Sequence, residues 1–230
     1  MSAACPQTPT FADLKAGLDL RAGGRIVAAT TQAFSSGFTR LDQALSGGFP
    51  RGTLATLEGP PSSGRTALLA SALAQATRSG LAAVVDPSPE GQACGSLYPP
   101  DLKRAGVQLE RVVFVTAATP AQIARSADIL LRSRAFGVVA MPAVPLRATV
   151  WSRLCGLAQK SDAVVFALGT QASTELAYFA STRVRCTIDH VIWSGESGVL
   201  CELAGYEINA HVLKHRRAAP GAIARLAVNQ

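Results

Sequence analysis

With 230 residues and 48% hydrophobic content, the chain can bury one sizeable core and has room for one domain or at most two small ones. It contains no run of about eighteen apolar residues that could cross a bilayer as a helix, and its start, Met1-Ser2-Ala3-Ala4-Cys5-Pro6, lacks the basic and apolar stretches of a secretion signal, so a cytoplasmic protein with no membrane partner is expected. The formal net charge of +7 suits nucleic acid or an acidic partner, and equally a coding bias toward arginine, because the basic residues are dispersed rather than gathered in a stripe.

In chain order, Phe11 to Leu20 places Phe11, Leu14 and Leu18 at helical spacing with Asp13 in the first turn, before Gly23-Gly24 breaks the pattern. Residues 1–35 form an N-terminal segment that either packs on its own domain or reaches a neighbour, which makes Phe11 and Leu14 candidate partner contacts. From Thr53 onward, apolar strands alternate with helices, the pattern of an α/β domain with a mainly parallel sheet and helices on both faces. Thr53–Glu58 predicts a strand that runs into a glycine-rich loop, and Leu81–Val85, Val112–Val115, Phe136–Ala140 and Ala163–Leu168 are short, valine-rich runs that predict further strands. Thr66–Ser79, Pro120–Arg134 and Arg147–Lys160 predict helices, with Pro120 in a first turn and Gly80 in a left-handed position closing the first of them. After Ser173, Thr182–Trp193 and Tyr206–Lys214 alternate around the turn-like Ser194–Gly198 and predict antiparallel hairpins that extend the sheet. Trp151 and Trp193 are expected in the core or partly buried. Cys5, Cys94, Cys155, Cys186 and Cys201 lie far apart, with no histidine at ligand spacing; reduced thiols and no metal are expected.

The stretch Gly59-Pro60-Pro61-Ser62-Ser63-Gly64-Arg65-Thr66 carries the chemistry. It matches the phosphate-binding loop G-x-x-x-x-G-K-[ST], in which backbone N–H groups wrap phosphates, lysine reaches the β and γ groups and the hydroxyl holds magnesium, except that Arg65 replaces the lysine. A planar guanidinium fork does not inherit the contact of a compact ammonium.

Further motifs make a family resemblance specific. Ser36-Gly37-Phe38-Thr39-Arg40-Leu41-Asp42-Gln43-Ala44-Leu45 followed by Gly47-Gly48-Phe49-Pro50-Arg51-Gly52 resembles the entry to the RecA ATPase core, and the phosphate loop resembles that of the same family. Tyr178-Phe179-Ala180-Ser181-Thr182-Arg183-Val184 resembles its "F-Y-A-S-x-R" strand, and Lys214-His215-Arg216-Arg217-Ala218-Ala219-Pro220 its "K-x-K-x-x-x-P" strand end. The resemblance implies a RecA-like core over 36–230, without the additional C-terminal domain of RecA.

The departures from the family pattern fall on catalysis. The position of the acid that orients the attacking water aligns with Ser88, with Glu90 two residues away, and the strand that should end in a magnesium-holding carboxylate ends in Met141-Pro142. Asp101, in Tyr98-Pro99-Pro100-Asp101, stands where a ring stacking on adenine is implied. Losses at Arg65, Met141 and Ser88 predict a pseudo-ATPase with no catalytic residues and no required cofactor; ATP with Mg²⁺ on Gly59–Thr66 is the alternative. The connections Pro142–Leu146 and Gly169–Glu175 are too short to resemble RecA's DNA-holding loops, so DNA contact is expected to be weak or indirect. A shortened, ATPase-degenerate core of this kind resembles the ImuA family. That resemblance implies an accessory role in translesion synthesis within the DNA-damage (SOS) response, near the nucleoid, with an ImuB-like inactive Y-family polymerase relative as partner, and with an error-prone replicative-type polymerase and RecA as further partners. Lys214, Arg216 and Arg217 are the basic contact candidates, or a solvated strand end, and His215 is a polar edge residue. A nucleotide-binding repair ATPase and a SulA-type division inhibitor remain the alternatives.

Overall fold

The computed structural model describes residues 33–87, 97–195, 202–218 and 220–229. The predicted helix at Phe11–Leu20, with Phe11 and Leu14, lies outside the described residues, as do Ser88 and Glu90. Among the described residues, no helix is long and apolar enough to cross a membrane.

The described chain opens with a short antiparallel pair, β1 (Ala33–Phe34) and β2 (Phe49–Pro50), bracketing helix α1 (Thr39–Ala44). The motif at this entry is structural bracing. Asp42 accepts hydrogen bonds from Ser36 N (2.8 Å) and Ser35 Oγ (2.6 Å), which fixes the turn, and Leu41 and Leu45 enter the core. Gly37 and Gly48 have positive φ, and a side chain on either would collide with Ser71 Oγ or with the Phe34 carbonyl.

The main sheet is built from β3 (Leu54–Glu58), β4 (Leu81–Pro87), β5 (Val112–Ala117), β6 (Phe136–Pro142), β7 (Val164–Gly169), β8 (Thr182–Ser194), β9 (Glu202–His215) and β10 (Ile223–Asn229). Its order is β10-β9-β8-β3-β7-β6-β4-β5. The pairs from β8 through β5 are parallel, whereas β8–β9 and β9–β10 are antiparallel. The expected α/β fold with antiparallel C-terminal strands is thus present, and β8 serves both halves by running parallel to β3 on one side and antiparallel to β9 on the other.

Helices α2 (Arg65–Ser79), α3 (Pro99–Arg104), α4 (Pro120–Ser133), α5 (Ala148–Ser161) and α6 (Thr174–Phe179) complete the described fold. Strand side chains alternate between two cores. Ala55, Leu57, Val138, Ala140 and Phe166 pack with Leu68, Leu69 and Leu73 of α2. Leu54, Val139, Met141 and Val165 pack with Ile123 of α4 and Trp151 and Leu154 of α5. The central strand β3 is buried along its whole length, which places the loop that follows it over the middle of the sheet.

Three readings from the sequence are corrected. Gly80 is extended (φ −148°, ψ −165°), because the chain passes directly from α2 into β4 with no left-handed turn between them. Tyr178 and Phe179 close helix α6 rather than opening a strand, and β8 begins at Thr182. Trp151 is fully buried as expected, but Trp193 is 63% exposed, because β8 runs on past the body of the sheet.

Candidate functional site

The loop Gly59–Thr66 joins the C-terminal end of β3 to the N-terminus of α2. Its start is anchored by Gly59 N, which donates to Gly169 O (3.2 Å) and Thr170 O (3.1 Å), and Ser63 N donates to Pro60 O (3.2 Å). Ser62 (φ 58°) and Gly64 (φ 84°) curl the backbone through the left-handed region, the kind of path along which successive N–H groups form an anion nest. No side chain caps α2, so its positive end faces the loop. Two glycines are required by packing: a side chain on Gly64 would strike Ile208 of β9, and one on Gly59 would lie 2.5 Å from the Cys186 carbonyl oxygen of β8. Ser63 is 2% exposed, and its Oγ has no hydrogen-bond partner.

Arg65 is half-buried and donates from Nη1 to the carbonyl of Gly59, so its guanidinium turns back onto the start of its own loop. Thr66 is exposed at the head of α2. Arg65 and Thr66 line a cavity of about 100 Å³ together with Val84, Asp86, Met141 and Leu168. Met141, in the position where the resemblance implies a carboxylate, is 1% exposed and belongs to the apolar core beneath α4 and α5. Asp86 is the one carboxylate among the described residues lining this cavity. A second, larger groove of about 660 Å³ runs along Pro61–Ala67 and is walled by Ile188, Val191, Trp193, Leu203 and Tyr206 of the β8–β9 hairpin.

The backbone cradle, the orphaned Ser63 hydroxyl and the groove fit a phosphate-bearing ligand. For magnesium the same cavity offers the Thr66 hydroxyl and the Asp86 carboxylate, while the end of β6 contributes the Met141 thioether rather than an anionic oxygen.

Directly beneath the loop lies an ion pair that the sequence reading did not single out. Glu58, 1% exposed, accepts from Arg183 Nε (2.8 Å) and Nη2 (3.0 Å) and from Thr56 Oγ1 (2.8 Å), with Arg185 Nη2 at 3.8 Å. Burial opposes the Glu58 charge, but the hydrogen bonds from Arg183 and Thr56 outweigh it and hold the carboxyl below the ordinary glutamate range. The signal available was an acid at the end of an apolar strand together with the arginine of the "F-Y-A-S-x-R" run. Cys186, buried beside the loop, has its thiol pushed up to about 12 by burial, only partly offset by the charge of Arg65.

The basic strand end is more engaged than a solvated face. Lys214 Nζ donates to Ala177 O and Tyr178 O (both 2.9 Å), holding the C-terminal carbonyls of α6. Burial, then the charges of Arg183 and Arg216, press its pKa down. His215 is 9% exposed rather than at a solvated edge, and its Nδ1 accepts from Arg217 N (3.1 Å) and Ala218 N (2.9 Å). Burial and then Arg217 lower its pKa, which favours the neutral ring that this acceptor role requires. Arg216 and Arg217 are exposed. At the proposed adenine region, Tyr98 is 63% exposed and Asp101 pairs with Arg104 (3.3 Å) at the surface.

Comparison with known proteins places this geometry. Residues 17–150 match the family described as RecA N-terminal domain. The chain is 37% identical over 114 residues to Protein RecA of Corynebacterium pseudotuberculosis (strain C231), an alignment covering 49% of this chain and 29% of that protein. It is 35% identical over 127 residues to Protein RecA of Rhodospirillum centenum (strain ATCC 51521 / SW), covering 54% and 34% respectively. The chain therefore spans about a third or less of the RecA proteins it matches. In fold it is similar to the crystal structure of the RadB recombinase, with a TM-score of 0.62 and 19% identity over 84% of this chain and 94% of that one.

Proposed function

The chain belongs to the RecA N-terminal domain family, and from that premise we propose that it is a catalytically silent RecA-like accessory protein that acts by protein–protein contact in DNA-damage-induced translesion synthesis. Its partner in this reading is an ImuB-like, inactive relative of Y-family polymerases, and its setting is the cytoplasm. One observation carries the proposal: Arg65 is tied to the Gly59 carbonyl of its own loop, and Met141, where the family resemblance implies a magnesium-holding carboxylate, belongs to the apolar core. Phosphoryl transfer depends on positioned cations around the transferring group, and a thioether within the apolar core supplies no anionic oxygen to one. The connections at 143–147 and 170–173 are short, which supports a protomer that contacts DNA indirectly.

A second reading, a nucleotide-binding RecA-type repair protein, draws support from the intact cradle and the unpartnered Ser63 hydroxyl. One experiment separates the two. The purified protein with Mg²⁺ and radiolabelled ATP, in the presence and absence of single-stranded DNA, is expected to release no phosphate above the buffer rate. In parallel, co-expression with the inactive polymerase relative is expected to yield a stable complex that Arg216→Glu weakens. Steady ATP turnover, or failure of the two proteins to co-purify, would overturn the accessory reading.

A further inference from the structure

On the β8–β9 hairpin, Asp189, His190 and Glu207 each present a metal-capable atom within 4.8 Å of the other two. His190 Nδ1 stands 3.7 Å from Glu207 Oε2 and 3.9 Å from Asp189 Oδ2, too far for hydrogen bonds. The backbone builds this convergence. In a regular strand Asp189 and His190 would point to opposite faces. Here Ile188 pairs with Ile208 and His190 with Glu207, which leaves Asp189 as the additional residue of a bulge, and bulges re-aim side chains in this way. Val191 and Tyr206 line the groove beside the phosphate loop, so their neighbours His190 and Glu207 take the other face of the hairpin. The cluster is separate from the phosphate-loop site.

The spacing suits a small ion. Zinc bonds of about 2.0–2.1 Å in tetrahedral geometry place ligand atoms roughly 3.3 Å apart. The two distances from His190 exceed this by about half an ångström, and the carboxylates of Asp189 and Glu207, within 4.8 Å of each other, have to close by at most about 1.5 Å, a change open to the exposed Asp189 and His190 side chains and the partly exposed Glu207. One imidazole and two carboxylates, with a combined charge of about −2 when the ring is neutral, match a borderline divalent cation. We propose that Asp189, His190 and Glu207 form a divalent-cation site best matched to Zn²⁺, with a fourth position open to water or to a donor atom from another molecule.

The test is calorimetric titration of ZnCl₂ into the full chain after treatment with chelator. A saturable event near one equivalent is expected. Loss of an outer-shell partner alone weakens metal sites by about 10–100-fold, so removing a direct ligand in His190→Ala or Glu207→Gln is expected to cost at least that much. The metal-free variants are expected to unfold at the same urea midpoint as the parent, and Asp189→Asn provides a third variant should either fail to fold. The proposal is overturned if no zinc binding saturates, or if the zinc that binds is held equally well by these variants.

Discussion

At the residue scale, the feature with the clearest energetic consequence is Glu58, a carboxylate 1% exposed at the root of the phosphate loop. A buried charge persists only when paired and fully hydrogen-bonded, and Arg183 provides that pairing through two parallel bonds. Replacing one partner strands the other, so Arg183→Met is expected to destabilise the protein by about 3–5 kcal/mol in urea unfolding at neutral pH. The pH dependence has a definite sign. Because the folded-state pKa of Glu58 lies below its ordinary value of 4.5, the pair contributes stability above that pH and loses it as pH falls below. In Arg183→Met the burial that opposes ionisation is offset only by the Thr56 hydrogen bond and the more distant Arg185, so the acid limb of a midpoint-against-pH curve is expected to move to higher pH. An unchanged acid limb would mean that Glu58 is solvated. The residues of the loop itself were legible, since glycine, serine and threonine spacing is a local signature. The ion pair was not, because its two halves lie 125 positions apart.

At the scale of elements, the long helices were legible from periodicity; Pro120 marked the start of one, whereas the left-handed close expected at Gly80 did not form. Helix α4 begins with Thr119 accepting from Gln122 N (3.2 Å) while Gln122 Oε1 accepts from Thr119 N (3.1 Å), a reciprocal box with Pro120 in the first turn. Thr119→Ala is expected to cost about 1 kcal/mol, read as a lowered thermal midpoint with the helix content retained. The same helix is tied to α5 by Asp128, which bonds Arg153 (2.5 Å) and Arg132 (2.9 Å). The hydrogen bond from Arg153, against a smaller desolvation cost, holds that carboxyl below the usual aspartate range. The short helices α1, α3 and α6 were not anticipated as helices: six residues make under two turns, too few to show a period, and each exists because its one core residue, Leu41, Leu102 or Leu176, is anchored. Tyr178–Phe179 illustrates the same limit, since an aromatic pair with strand propensity was overridden when Lys214 capped the helix it closes.

For the whole molecule, the sheet order decides what can stand alone. Strand β3, which carries the phosphate loop, pairs on one edge with β7 and on the other with β8, and both lie beyond residue 150, where the match to the RecA N-terminal domain family ends. A fragment ending at residue 150 would leave both edges of the central strand unpaired and would strip each core of about a third or more of its buried residues. It is expected to show no cooperative thermal transition and no near-ultraviolet dichroism, whereas the full chain shows both; a cooperative transition in the fragment would refute this account of the sheet. The α/β class, the glycine- and serine-rich loop with its arginine and the antiparallel close were readable from the residues alone, because periodicity, turn chemistry and motif spacing act over a few residues at a time. Tertiary packing alone brought Glu58 to Arg183, set a hairpin from the later part of the chain along the groove, and made Asp189, His190 and Glu207 converge. Those contacts join atoms whose proximity is set by strand order and by one bulge, and neither is encoded in any single stretch of sequence.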